Sequence, residues 1–107
     1  MANHQIKADY QEKIIKIISI FFPDATIYLF GSRAKQTHTE SSDIDIAIDI
    51  GHPMPITPRA QIVSMIDVLG IPQEVDVVDL RTVPEAMRNA ILKEGIVWKD
   101  SNKNIPS

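Results

Sequence analysis

The chain has 107 residues and a mass of 12.0 kDa, a length that predicts one domain with a single core. Its 44% hydrophobic and 23% charged residues are typical of an ordinary globular protein. The formal charge is −3 and the 11 Lys and Arg are scattered, so we do not expect a nucleic acid as partner. Because the chain has no cysteine and its three histidines lack paired ligand spacing, any metal must be held by oxygen ligands.

The N-terminal region predicts neither an export signal nor a membrane span. It is polar from its first residues, and the apolar run IIKIISIFF is short and interrupted by Lys16 and Ser19. We therefore expect a cytoplasmic protein without membrane contact. We also expect one domain over residues 1–98 and a flexible polar tail over residues 99–107.

The first predicted elements are a helix, a strand and a turn. Residues 8–22 have apolar side chains at three- and four-residue intervals and stop at Pro23, which predicts an amphipathic helix packed on a sheet. TIYLF, residues 26–30, is a β-branched and aromatic run that predicts a buried strand ending at Gly31. A turn and a short helix are expected from Ser32.

The second predicted strand, residues 43–50, alternates strictly. Ile44, Ile46, Ile48 and Ile50 fall on one face, and Asp43, Asp45, Ala47 and Asp49 fall on the other. This pattern predicts a strand with one buried face, and the isoleucines should face the helices.

The remaining helices and strands are predicted mainly from residues that typically mark where a helix begins or ends. Thr57 is placed to cap a helix that has Pro58 at its first position and that ends at Gly70. Its apolar face would consist of Ile62, Val63, Ile66 and Leu69. EVDVVDL, residues 74–80, predicts a third strand, and Thr82 with Glu85 forms the T-x-x-E of a capping box. That last helix should end at Gly95, followed by a short strand over residues 96–98. The predicted fold class is α/β, with a small mixed sheet covered by helices.

Two aspartates on the second strand are the candidate metal ligands. Side chains two apart on a strand point the same way with Cα atoms roughly 6.5–7 Å apart, so Asp43 and Asp45 can converge on hard cations. Two Mg²⁺ ions serve phosphoryl or nucleotidyl transfer, and Asp76 is the natural third carboxylate. Taken alone, such an acidic face is more often a solvated or protected strand edge than a metal site. Asp79 points away from Asp76 and is expected to be structural, and Asp49 to be a surface residue.

A candidate phosphate site precedes these aspartates. Gly31 lets the backbone approach a ligand closely, and the Ser32 hydroxyl and nearby amides can bind phosphate oxygens. Arg33 could add a charge-assisted bond, and Ser42 is a further candidate for nucleotide contact. The plainer interpretations are a simple turn at Gly31 and loop residues at Ser42.

The combination is more specific than its parts. Gly31-Ser32, ten further residues, Asp43-x-Asp45 and a third aspartate on a later strand resemble the signature of the DNA polymerase β-like nucleotidyltransferase superfamily. The GSRA, SSDIDIAI, EVDVVDL and AILKEGIVW segments are similar to the minimal nucleotidyltransferases of bacteria and archaea.

This resemblance implies a mixed-sheet α/β fold that transfers NMP from an NTP, with ATP expected as substrate, to an acceptor hydroxyl. Asp43 and Asp45 would bind both Mg²⁺ ions, and Asp76 would bind the catalytic one. Gly31 and Ser32 would bind phosphate. Gln36 departs from the G-S-x-A-x-G run that such proteins often carry, so the phosphate loop is expected to turn differently.

The resemblance also implies a partner. Minimal nucleotidyltransferases lack the acceptor-binding domains of larger members, and they are commonly encoded beside a HEPN protein that some of them silence by adenylylation. The leading hypothesis is therefore an antitoxin that adenylylates a HEPN partner. The alternatives are a module that acts by contact alone, a small-molecule nucleotidyltransferase, and a structural α/β subunit. A homodimer is a base-rate expectation.

Overall fold

A computed structural model of the chain describes residues 8–35, 37 and 42–100. Helices and strands alternate along it, which confirms the predicted α/β class. The helices are α1 (Ala8–Phe21), α2 (Ser32–Lys35), α3 (Ile56–Val68) and α4 (Glu85–Glu94). The strands are β1 (Thr26–Phe30), β2 (Ile44–Asp49), β3 (Val75–Asp79) and β4 (Ile96–Lys99).

The four strands form one mixed sheet in the order β3-β2-β1-β4. β1 runs antiparallel to both β2 and β4, whereas β2 and β3 are parallel and are connected through α3. A parallel connection needs such a crossover, while an antiparallel pair needs only a short turn or loop. The register places Asp45 between Phe30 on β1 and Asp76 on β3.

The first face of the sheet packs against α1 and α3. The alternation of β2 directs its isoleucines to this side, as predicted, and they join the main core. Its fully buried members are Ile14, Ile18, Ile27, Leu29, Ile44, Ile46, Ile48 and Ile62. Within α3 the apolar face is narrower than predicted: Ile62 and Ile66 are buried, but Val63 is 43% exposed.

The second face is covered by α4 over only part of its length. Ala47, Leu80 and Ile91 form a separate buried cluster there, with Tyr28 and Met87 packed against it. The prediction of a single buried face for β2 is therefore wrong at Ala47, because α4 returns over the sheet at that point. Asp43 and Asp76, toward the start of the strands, are exposed.

The predicted helix caps are wrong for both α3 and α4. Each helix follows a proline with extended backbone, Pro55 and Pro84, and neither N-terminus has a side-chain capping bond. Thr57 lies inside α3 rather than before it. Thr82 lies three residues ahead of α4, where its hydroxyl donates to the Asp79 carbonyl at 3.3 Å, so no capping box forms.

The end of the chain is described as far as residue 100. β4 continues through Lys99, whose Nζ donates to the carbonyl oxygens of Pro23 and Ala25 at 2.7 and 3.2 Å. Residue 99 therefore belongs to the sheet rather than to the predicted tail, and residues 101–107 lie outside the described part. Within the described segments, no helix has the length and apolar character needed to span a membrane.

Candidate active site

Gly31 joins the end of β1 to α2 and requires glycine for two reasons. Its φ angle is +78°, in the left-handed region that residues with a Cβ atom rarely occupy. A Cβ atom at this position would also overlap an Oδ2 oxygen of Asp45 and lie 3.2 Å from the Asp45 Cγ. The absence of a side chain at Gly31 thus leaves room for the Asp45 carboxylate against the turn.

Asp45 is the centre of the acidic cluster. It is a direct register partner of Asp76 on the parallel strand β3, and it is half-buried where Asp43 and Asp76 are exposed. Burial raises the pKa of the Asp45 carboxyl above its usual range, and the negative charges of Asp76 and then Asp43 raise it further. Two of the predicted ligands therefore act electrostatically on the third, Asp45.

Asp43 lies one residue before β2 rather than within it. The start of β2 is held to β3 by the Ile44 amide, which donates to the Glu74 carbonyl at 2.8 Å. Among the described residues, no group of three or more His, Asp or Glu side chains is placed closely enough to hold a metal ion. The donor set consists only of carboxylates, whose oxygens suit hard cations, and a dication would relieve the repulsion around Asp45.

Arg33 is buried, at 3% exposure, which its sequence position did not indicate. Its guanidinium donates two hydrogen bonds to the Ser42 carbonyl, at 3.3 Å from Nε and 3.0 Å from Nη2. Burial lowers the pKa of Arg33. These bonds connect α2 to the residue before Asp43, so Arg33 positions the acidic segment. Phosphate contact by Arg33 or Ser42 stays a prediction.

Ser32 begins α2, directly after Gly31, as predicted. Its carbonyl accepts from the Thr37 amide at 2.9 Å, and the Gly31 carbonyl accepts from the Lys35 amide at 3.2 Å. The backbone of this turn is therefore fixed by its own hydrogen bonds. Phosphate binding by Gly31 and Ser32 remains a prediction. Gln36, the departure from the resemblance, lies outside the described residues.

The remaining aspartates of strands β2 and β3, Asp49 and Asp79, have structural partners. Asp79 is 2% exposed and accepts from the Met54 amide at 2.7 Å and the Arg81 amide at 3.0 Å, in agreement with its expected structural role. Asp49 forms a two-pronged ion pair with Arg81, at 2.7 Å from Nε and 3.0 Å from Nη2. Neither residue therefore belongs to the candidate metal site.

A cavity next to Gly31 was not predicted. It lies between α2 and α4, has a volume of about 140 Å³, and is lined mainly by apolar side chains. The lining residues include Phe30, Gly31, Ala34, Met87, Ala90 and Ile91. Their three- and four-residue spacing puts Met87, Ala90 and Ile91 on one side of α4, but nothing in the sequence links this side to Gly31.

Known proteins share this architecture. The chain is 29% identical over 104 residues to the "Probable protein adenylyltransferase MntA" of Haemophilus influenzae (strain ATCC 51907 / DSM 11121 / KW20 / Rd), covering 97% of this chain and 91% of that protein. A crystal structure of a toxin-antitoxin with AMP-PNP superimposes with a TM-score of 0.72 and 27% identity, covering 88% of this chain and 76% of that one.

A complex of tri-AMPylated Shewanella oneidensis HEPN toxin with MNT antitoxin superimposes with a TM-score of 0.70, covering 92% of this chain and 76% of that one. At 24% identity this likeness shows the fold alone. The model of the family "Polymerase beta, Nucleotidyltransferase" matches residues 12–104, nearly the whole chain. The chain therefore belongs to the polymerase beta nucleotidyltransferase family.

Proposed function

We propose that this chain transfers AMP from ATP to a hydroxyl group of a HEPN partner protein and thereby acts as an antitoxin. The observation that carries the proposal is the half-buried Asp45, held beside Asp76 and beneath a glycine that leaves room for its carboxylate. Such a concentration of negative charge is unfavourable without a cation, and it is a common arrangement at sites that bind metal and nucleotide.

The relatives support the choice of reaction. The similar Haemophilus protein is named a protein adenylyltransferase, and the toxin-antitoxin structure at 27% identity contains AMP-PNP. The complex with an AMPylated HEPN toxin shares the fold, which makes a HEPN protein the first acceptor to test. Because ATP is abundant in the cytoplasm, we place the reaction there.

In this proposal the side chains of Asp43, Asp45 and Asp76 would move closer together to hold Mg²⁺, and the ion would stabilise negative charge on the transferring phosphate. Gly31 and Ser32 would contact the triphosphate at the turn after β1, and Arg33 would hold Ser42 and so fix the approach to Asp43. The acceptor oxygen forms a bond to the α-phosphorus and its proton is released. The bond from that phosphorus to the pyrophosphate oxygen breaks, and pyrophosphate leaves.

The acceptor would reach this site from outside the chain. Asp43 and Asp76 are exposed, and α4 covers the sheet only beyond them. As far as the described residues are concerned, a side-chain hydroxyl on a protein surface could therefore approach the acidic cluster without an opening motion.

The test is incubation of the purified chain with α-labelled ATP, Mg²⁺ and the HEPN product of a neighbouring gene, followed by gel analysis and mass spectrometry. We expect label on the partner, and none with the Asp43→Asn, Asp45→Asn double variant. Equal protection of cells by wild type and double variant would instead show a module that acts by contact. Absence of Mg²⁺-dependent nucleotide binding by the folded wild type would refute the proposed activity.

A further inference from the structure

The cavity between α2 and α4 is continuous with the candidate phosphate site because both include Gly31. Phe30 and Gly31 form its floor at the end of β1, Ala34 lies on the α2 side, and Met87 and Ile91 lie on the α4 side. A ligand that contacts the Gly31 turn with its phosphates can therefore extend another group into this cavity.

The walls fit a flat, largely apolar group. Ile91 is buried in the second core cluster, and Phe30 and Met87 pack against that cluster, so the cavity is an opening at the edge of a packed core. Its volume of about 140 Å³ is close to that of an engineered apolar cavity of about 150 Å³ that binds benzene. One ring of a planar base can thus lie inside this space, and the second ring of a purine would lie at its mouth.

Two charged side chains at the rim of the cavity could select for a ligand with a polar edge. Lys35 and Glu94 both line the cavity, and the Lys35 Nζ lies 3.5 Å from the Glu94 Oε1. Their side chains are 58% and 49% exposed, so the ion pair contributes little to stability and its partners can exchange for a ligand. A donor and an acceptor at the mouth of an apolar slot match the polar edge of a nucleobase.

We infer that this cavity holds the nucleobase of the nucleoside triphosphate whose phosphates bind at Gly31 and Ser32. The inference rests on the proposed function and deepens it, because it assigns the part of the site that distinguishes a nucleotide from inorganic polyphosphate. Base stacking on side chains contributes substantially to nucleotide affinity in other proteins. A filled cavity should therefore weaken ATP binding without affecting binding of the phosphates.

The experiment compares two alanine-to-phenylalanine variants by isothermal titration calorimetry. Ala90 is an exposed residue of α4 that lines the cavity, so Ala90→Phe would fill it. Ala60 is an exposed residue of α3, on the opposite side of the sheet, and Ala60→Phe is the matched control. Each variant and the wild type are titrated with Mg²⁺-ATP and with Mg²⁺-tripolyphosphate.

We expect Ala90→Phe to weaken ATP binding at least about tenfold and to leave tripolyphosphate binding unchanged. Ala60→Phe should affect neither ligand. Unchanged ATP affinity in Ala90→Phe would overturn the inference, as would an equal loss for both ligands. If the wild type binds tripolyphosphate as tightly as ATP, the base contributes nothing, and the inference fails while the proposed function stands. If the folded wild type binds neither ligand, the proposed function itself fails.

A second measurement uses the unaltered chain and so does not depend on folding of the variant. Photolabelling with 8-azido-ATP and Mg²⁺, followed by peptide mapping, should place the label on α4, on α2 or at Phe30. Label confined to other segments would overturn the inference. Excess ATP should prevent the labelling and excess tripolyphosphate should reduce it, because both would compete at Gly31.

Discussion

Gly31→Ala tests the requirement for an empty position beside Asp45. Alanine in the left-handed region costs about 1–2 kcal/mol, and Gly31 has a φ of +78°. Gly70, just after α3, provides a matched control because its φ is +72° and a Cβ atom there would meet nothing within 4 Å. Both variants should therefore lose about 1–2 kcal/mol of unfolding free energy, but only Gly31→Ala introduces a Cβ atom that overlaps the Asp45 carboxylate.

The effects on stability and activity should separate. The Asp45 carboxylate ends a side chain that can rotate, so its displacement adds little to the loss of stability. Displacement of a catalytic group by about 1 Å can reduce a rate about 10²-fold. In urea unfolding we expect similar free-energy losses for the two variants. In the labelled AMP transfer assay we expect a fall of about 10²-fold for Gly31→Ala and near wild-type activity for Gly70→Ala.

Two results would refute this reasoning. A folded Gly31→Ala protein with wild-type activity would show that Asp45 does not need the space beside the turn. A comparable loss of activity in Gly70→Ala would show that the loss comes from the backbone penalty and not from contact with Asp45.

Three further predictions concern the charged side chains around the site. In EDTA, Asp45→Asn should raise the melting temperature, because burial and the neighbouring carboxylates oppose the Asp45 charge. The same variant should show no rise in melting temperature when Mg²⁺ is added. A lower melting temperature than that of the wild type in EDTA would contradict this prediction. Asp76→Asn should abolish AMP transfer with little loss of stability. Asp79→Asn should lose about 1–3 kcal/mol of unfolding free energy in urea, because an amide NH₂ group replaces a carboxylate oxygen that accepts a hydrogen bond from a backbone N–H. Similar stabilities of these two variants would count against the division of roles between them. Arg33→Met should lose about 1–3 kcal/mol of unfolding free energy, because the Ser42 carbonyl loses its two hydrogen bonds from the guanidinium. The control is Lys35→Met, an exposed position on the same helix, which should lose under about 1 kcal/mol. Equal losses in the two variants would refute a positioning role for Arg33.

The features that were predicted from sequence are those set by local pattern. The strict alternation around Asp45 placed the isoleucines and the aspartates on opposite faces of β2, because side chains on a strand alternate whatever lies next to them. TIYLF was predicted as β1 with its observed bounds, since a short β-branched and aromatic run before a glycine has few alternatives. Asp76 was predicted only as a third carboxylate on a neighbouring element, and its position directly opposite Asp45 is a strand register that the sequence does not specify.

The features that were missed depend on contacts between distant segments. Burial of Arg33 requires α2 to fold back against Ser42, nine residues away, and a basic residue after a turn gives no sign of this. The helix starts were wrong because Pro55 and Pro84 set the backbone before α3 and α4, so that Thr57 and Thr82 were not needed as caps. The cavity beside Gly31 depends on where α4 crosses the sheet, which periodicity within α4 does not specify.

The position of α4 also explains how a small fold can combine a packed core with an open charged site. One face of the sheet is occupied by α1 and α3, so the aspartates can reach solvent only on the other face. There, α4 covers Ala47 and stops short of Asp45, which leaves the carboxylate partly buried at the boundary between core and solvent. Burial makes the charge unfavourable by itself, and exposure of Asp43 and Asp76 keeps the cluster accessible. On the proposed function, the same boundary brings together an acidic cluster for the metal, a turn for the phosphates and an apolar cavity for the base, and the partner protein has to supply only the hydroxyl.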